Sequence, residues 1–173
     1  MSKTRRPVIG VMGGGDPTAV SMATARRLGR LLAEQGWIVL TGGRPAGVMA
    51  AACAGAKEIP GSVTLGILPG VNGAGPDVDV AVFTGLGEAR NVVNVLTCDV
   101  IVACGVEGPG TASEVALGLK AGKPVILLGA GVAAHTFFQE LGSGRRLLQA
   151  NAPEAVVHLI EMELAIVPWS WVP

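Results

Sequence analysis

Three charged side chains, Arg44, Arg90 and Glu114, lie within or just after glycine-rich turns. Charged residues make up only 15% of the chain, so a charge at such a turn is more informative than one on a helix surface. A guanidinium group is always charged and presents a planar fork of donors that matches phosphate or carboxylate oxygens. The two arginines therefore indicate a site that binds a small anion.

The role of Glu114 has two interpretations. Thr111 and Glu114 match the [ST]-x-x-E capping box, in which the two side chains bond free amides at a helix start. Alternatively, the carboxylate of Glu114 accepts a hydrogen bond from a ligand hydroxyl or steadies a developing oxocarbenium ion. Of the other acids near these turns, we interpret Glu88 as a favourable first-turn charge and Asp16 as a helix N-cap that could also touch the ligand.

Glycines cluster where strands are predicted to end. They allow a ligand to approach backbone N–H groups closely, and the helix that follows adds unpaired donors and about half a positive charge. Each turn alone could equally be a tight corner, but four turns at one edge of a sheet predict a site for an anionic, phosphorylated small molecule. The predicted binding residues are Gly13, Gly14, Gly15, Gly42, Gly43, Arg44, Gly85, Gly87, Arg90, Gly108, Gly110, Thr111 and Glu114.

Short runs rich in Val and Ile alternate with longer stretches of helical period, a pattern typical of parallel strands joined by crossover helices. The predicted strands are Val8–Met12, Trp37–Leu40, Val63–Leu68, Val80–Phe83, Val100–Cys104 and Pro124–Leu128. The predicted helices span residues 18–35, 46–58, 87–96, 111–121, 134–141 and 153–163. Right-handed crossovers then give an α/β fold, a doubly wound, mostly parallel sheet in a Rossmann-like three-layer sandwich.

The length of 173 residues fits a single domain, 1–173, with no second core. The C-terminal tail, 164–173, is too apolar to remain free in water. We expect it to pack on the domain or on a partner subunit.

Several classes of function lack support in the sequence. Lys plus Arg equals Asp plus Glu at 13 each, so we expect no nucleic-acid partner. Neither a G-x-G-x-x-G nor a P-loop motif is present, which argues against dinucleotide or ATP binding. No metal-spaced His/Cys set and no G-x-S-x-G motif occurs, so we predict no metal site and no serine triad.

Cys53, Cys98 and Cys104 lie in apolar surroundings and are expected to be reduced core residues. No apolar run reaches the roughly 18 residues of a membrane span, and the first residues lack an apolar leader. The sequence therefore predicts a cytoplasmic protein with no membrane partner.

Five stretches resemble the Rossmann-like group that contains the Lonely Guy phosphoribohydrolases, often labelled lysine decarboxylase-like, and the molybdenum cofactor carrier proteins. The stretches are IGVMG at 9–13, LTGGR at 40–44 with GVM at 47–49, GILPG at 66–70, ARN at 89–91 and GPGTASEVA at 108–116. The resemblance covers residues 8–129. Decarboxylase chemistry has no support, because none of the lysines fits the internal-aldimine position of a pyridoxal enzyme.

Within that group, two functions remain open. Residues 108–114 and Arg90 match part of the motif set of the phosphoribohydrolases, which cleave the N-glycosidic bond of nucleoside 5′-monophosphates. On that alternative, Arg90 and Glu114 would be catalytic. The sequence departs from that motif at 106–107, where Val-Glu replaces Pro-Gly, and at Asn91, which replaces a lysine. A phosphate-binding charge is therefore lost.

These departures favour the carriers, which the sequence also resembles at 42–44, 84–91 and 108–111. The resemblance implies a protein that binds, protects and carries molybdenum cofactor, a phosphorylated pyranopterin dithiolene, for delivery to apo-molybdoenzymes. It implies no catalytic residue and no catalytic metal. It also implies a homodimer or homotetramer. The small-residue helix at 46–56 would permit close approach by a helix of another subunit, or packing on its own sheet.

Overall fold

The computed structural model describes residues 5–142 and 146–166, which form seven strands and six α-helices. The strands are β1 (Val8–Met12), β2 (Ile38–Thr41), β3 (Val63–Leu68), β4 (Val80–Phe83), β5 (Val100–Cys104), β6 (Val125–Leu128) and β7 (Leu147–Ala150). The helices are α1 (Ala19–Glu34), α2 (Gly47–Ala56), α3 (Arg90–Thr97), α4 (Pro109–Lys120), α5 (Val132–Leu141) and α6 (Pro153–Ile166), and a 3-10 turn, Gly87–Ala89, precedes α3. All the predicted elements are present, and β7 is an additional strand.

The seven strands described form one sheet in the order β4-β3-β2-β1-β5-β6-β7, and all neighbours are parallel. Strands β2, β3 and β4 follow one another on one side of β1. Strand β5 then pairs with the other side of β1, and β6 and β7 follow it outward. The order of the strands therefore reverses between β1 and β5. In open parallel sheets, a crevice opens beside the carboxyl ends of the strands at such a reversal.

Helices cover both faces of the sheet, because the central strands are apolar on both sides. In β5, Val100 and Val102 contribute to one core with residues of α1, α2 and α6, whereas Ile101 and Ala103 contribute to the other with residues of α3, α4 and α5. Successive side chains of a strand point to opposite faces, so a strand buried on both sides carries a continuous apolar run. The doubly wound, three-layer fold predicted from the sequence is confirmed.

The small residues of α2 serve contacts within the chain. A Cβ atom added at Gly29 would collide with the carbonyl group of Ala52, and one added at Gly55 would collide with that of Arg26. Helices α1 and α2 therefore cross with their backbones almost touching, which only glycine permits at these positions. The α2 sequence is explained by this packing on α1, so it is no evidence for contact with a second subunit.

The three cysteines, Cys53, Cys98 and Cys104, are free and buried, as expected. Burial raises the pKa of all three thiols, that of Cys104 to about 12, which keeps them protonated and unreactive near neutral pH. No helix within residues 5–142 and 146–166 is long and apolar enough to cross a membrane. Of the C-terminal tail, residues 164–166 complete α6, and residues 167–173 lie outside the described residues.

Candidate functional site

A cleft of about 240 Å³ lies at the carboxyl ends of β1, β2 and β5, beside the point where the strand order reverses. Most of the predicted binding residues line it: Gly13, Gly14, Gly15, Gly42, Arg44, Arg90, Gly108, Gly110, Thr111 and Glu114. The turns that hold them are far apart in sequence, and the parallel sheet brings them to one edge. Their contact with a ligand stays a prediction.

Three predicted residues, Gly43, Gly85 and Gly87, do not line this cleft. Their φ angles are 71°, 65° and 56°, a region that side chains other than glycine rarely adopt. Backbone conformation is thus a sufficient reason for glycine at each of them. The turn after β4 contributes to the cleft through Glu88, Arg90 and Asn91 instead.

The glycines that line the cleft are of two kinds. Gly13 is required by packing, because a Cβ atom there would lie 2.6 Å from the side chain of Val48. At Gly15 and Gly108 an added Cβ atom would meet nothing within 4 Å, and at Gly14 only the Asp16 nitrogen at 3.9 Å. These three have no positive φ either, so neither packing nor backbone conformation explains them. What they share is open space in the cleft, which a side chain would fill.

Helix α4 points its N-terminus at the cleft. The helix begins at Pro109, the N-cap is Gly108, and no side chain among the described residues caps it. Gly110 and Thr111, in its first turn, line the cleft. The uncapped amides of a first turn are donors suited to an anion.

The capping-box interpretation of Thr111 and Glu114 is therefore wrong. The helix starts two residues before Thr111, because proline is favoured at the first helical position. Glu114 consequently lies within the helix and faces α3. The N-cap interpretation of Asp16 is also wrong, since Thr18 caps α1 by accepting a hydrogen bond from the Ser21 amide at 3.1 Å.

Arg90 and Glu114 form a buried ion pair in the cleft. Their side chains are 6% and 7% exposed, and Arg90 Nη1 lies 3.6 Å from Glu114 Oε1. Asn94, one turn after Arg90 on α3 and fully buried, donates from Nδ2 to the same Oε1 at 2.8 Å. Burial raises the pKa of Glu114, and the hydrogen bond from Asn94 and the charge of Arg90 act against this rise. Asn94 and Arg90 thus both favour the ionised carboxylate.

Gly42 leaves room for the guanidinium group of Arg90. A Cβ atom at Gly42 would lie 2.7 Å from Arg90 Nη1 and 2.8 Å from Met49 Sδ. Arg90 Nε is buried without a hydrogen-bond partner among the described residues. Burial lowers the pKa of Arg90, and the nearby charge of Arg44 lowers it further, while Glu114 acts in the opposite direction. Two guanidinium groups therefore lie close together, and one buried donor of Arg90 has no partner among the described residues, an arrangement that suits an anionic ligand.

Several residues that line the cleft were not predicted as binding residues from the sequence: Val11, Met12, Met49, Glu88, Asn91 and Pro109. The apolar ones are indistinguishable from core residues in the sequence. Asn91 lies where the phosphoribohydrolase motif has a lysine, and in the structure its side chain has a different role. Its Nδ2 donates to Ser113 Oγ at 2.9 Å, and Ser113 Oγ donates to the Gly110 carbonyl at 2.7 Å. This chain of hydrogen bonds ties the start of α3 to the first turn of α4.

The fold and the cleft define a class: Rossmann-like proteins that bind a small anionic ligand at the switch point of a parallel sheet. The chain belongs to the SLOG cluster4 family, LDcluster4, whose model matches residues 6–157.

Two solved structures are similar over nearly their whole length. The molybdenum cofactor binding protein of the phototrophic bacterium Rippkaea orientalis is 45% identical with a TM-score of 0.89, and the match covers 94% of this chain and 99% of that one. The Moco carrier protein of Chlamydomonas reinhardtii is 45% identical with a TM-score of 0.88, and the match covers 94% and 100%. An uncharacterized protein of Archaeoglobus fulgidus is 40% identical over 121 residues, which is 69% of this chain and 78% of that protein.

Proposed function

We propose that the protein binds, protects and carries molybdenum cofactor for delivery to molybdoenzymes. The main support for this proposal is the cleft at one edge of the sheet. It is lined by two arginines, an uncapped helix N-terminus and glycines beside open space. Support comes also from the 45% identity, over 94% of this chain, to structures of molybdenum cofactor binding and carrier proteins.

The cargo is a phosphorylated pyranopterin whose metal-oxo end is also anionic, so a carrier must neutralise negative charge at both ends. We assign the phosphate to the amides of the Gly14–Gly15 turn and the first turn of α4, where donors need no side chain. Arg90 and Arg44 supply the charge at the other part of the cleft. Each charge-assisted contact of this kind contributes about 1.5–3 kcal/mol.

We further propose that the protein is a carrier and has no phosphoribohydrolase activity. The Asn91 amide carries no charge that could bind a phosphate, and its Nδ2 already donates a hydrogen bond to Ser113. The Glu114 carboxylate is paired with Arg90 and Asn94 through Oε1, so these contacts account for its burial without a catalytic role.

A transfer experiment tests this proposal. We expect protein purified from molybdenum-replete cells to activate an apo-molybdoenzyme in a mixture without another cofactor source, because a carrier must release its cargo intact. The same preparation, incubated with AMP, should yield no free adenine. Release of adenine and ribose 5-phosphate, abolished by Glu114→Gln, would establish the hydrolase instead.

We propose a homodimer or homotetramer in the cytoplasm, with apo-molybdoenzymes as recipients. Leu86, Val92 and Leu96 are 54%, 42% and 58% exposed around the start and outer face of α3, beside the cleft. Such apolar exposure favours covering by another protein surface. Light scattering should give a mass of two or four times 17.4 kDa, and a Leu96→Glu variant should shift toward the monomer. A monomeric wild-type protein would contradict this proposal.

A further inference from the structure

The cleft is lined by two arginines and two carboxylates, and only one of the carboxylates, Glu114, belongs to the buried pair with Arg90. Glu88, in the 3-10 turn Gly87–Ala89, lines the cleft together with Arg44 and Arg90. Its Oε1 lies 3.5 Å from Nη2 of Arg44. The two residues come from different loops, those that follow β4 and β2, so the ion pair spans part of the cleft.

Stability is a poor explanation for this pair. The side chains of Arg44 and Glu88 are 46% and 77% exposed, and ion pairs that are so exposed contribute little to folding. Glu107, an exposed carboxylate in the loop that follows β5, behaves differently: it accepts a hydrogen bond from Ser21 Oγ at 3.0 Å and does not line the cleft.

The charge of Glu88 also reaches the buried groups of the cleft. Burial has the largest effect on the pKa values of Arg90 and Glu114, and the charge of Glu88 raises both. A ligand that brings negative charge into the cleft therefore meets repulsion from Glu88. While Glu88 Oε1 lies next to Arg44 Nη2, that donor is not free for the ligand.

We propose that Glu88 is a release residue, whose carboxylate competes with the anionic cargo for Arg44 and so limits how tightly the cleft holds it. This inference rests on the proposed function only in that the ligand is anionic. A carrier must hold its cargo weakly enough for a recipient to take it, and a competing carboxylate lowers the affinity. When the cargo leaves, Glu88 re-pairs with Arg44, and the guanidinium is not left unpaired.

Inorganic pyrophosphate is a suitable probe, with calorimetry as the measurement, since it tests the charges of the cleft without molybdenum cofactor. We expect Glu88→Gln to lower the Kd by about threefold or more, and by less at high salt. Glu107→Gln removes the same charge from the loop that follows β5 and is the matched control; its effect should be smaller. In an Arg44→Gln background the gain from Glu88→Gln should largely disappear, since the competition is for Arg44.

Three outcomes would overturn the proposal: no tighter binding in Glu88→Gln, an equal gain in Glu107→Gln, or a gain that persists undiminished without Arg44. Absence of pyrophosphate binding in every variant would overturn it too. The proposed function fails separately. If Glu88→Gln binds pyrophosphate more tightly but the protein never acquires molybdenum, the proposed cargo is wrong and the role of Glu88 as a release residue still holds.

Discussion

Arg90→Gln should weaken binding of molybdenum cofactor by about 10- to 100-fold, the loss of one shielded charge-assisted contact. The side chain of Arg90 is only 6% exposed and lines the cleft, so solvent screens its contact with the ligand weakly. Equilibrium dialysis against the cofactor released from a donor molybdoenzyme measures the change. Arg26→Gln removes an arginine of the same type from the exposed face of α1, where it pairs with Glu58, and should leave affinity unchanged. Equal affinity in Arg90→Gln and wild type would contradict the site.

The same substitution should change how stability depends on pH. Burial raises the pKa of Glu114 above its ordinary 4.5, so the folded protein retains a proton that the unfolded chain has lost. The contribution of Glu114 to the free energy of unfolding therefore falls as pH rises above 4.5 and levels off once the folded pKa is passed.

Without Arg90 the carboxylate loses its cation, its pKa rises further, and the fall should extend to higher pH. Urea unfolding at several pH values between about 5 and 8 compares the two profiles. The double variant Arg90→Gln with Glu114→Gln should not show this extended decrease in the free energy of unfolding. A profile for Arg90→Gln parallel to that of wild type would show that the two groups do not interact.

Gly14→Leu should abolish cargo binding, with a loss of about 100-fold or more, while folding stays within about 0.5 kcal/mol of wild type. An added Cβ atom at Gly14 has no neighbour nearer than the Asp16 nitrogen at 3.9 Å, so a side chain there starts into open space and we expect stability to be preserved. That space is where we place the phosphate, and a leucine there would exclude it from the backbone amides. Dialysis gives the affinity and urea unfolding gives the stability.

Gly131→Leu is the matched control for this substitution. Gly131 also has open space around an added Cβ atom and an ordinary φ of −64°, but it lies at the N-cap of α5 and does not line the cleft. Its leucine variant should bind normally. Normal binding by Gly14→Leu would mean that the glycine turn after β1 holds no part of the cargo.

The fold was predictable from the sequence because the signals were strong and local. Runs such as Val100–Cys104 are too apolar and β-branched to be anything but buried strands, and the glycines after them mark where the turns begin. Strand β7 gave no such signal. It is a half-exposed strand of four residues at the edge of the sheet, where only one neighbouring strand constrains which side chains fit.

The site was predictable to the extent that glycine and arginine mark it. The partners of Glu114 could not be predicted from the sequence. The spacing to Thr111 matched a local cap, whereas the contacts observed, with Arg90 and Asn94, come from another helix 20 residues or more away in the chain. The ion pair of Glu88 with Arg44 was hidden for the same reason, because the two residues come from different loops of the cleft.

The most direct test of the cleft as a cargo site is the molybdenum and pterin content of the purified protein, measured side by side for wild type, Gly14→Leu and Gly131→Leu. We predict molybdenum and pterin in equal amounts in wild type and Gly131→Leu, and neither in Gly14→Leu. Wild-type protein from molybdenum-replete cells that contains neither, or Gly14→Leu that contains as much as wild type, would contradict the account.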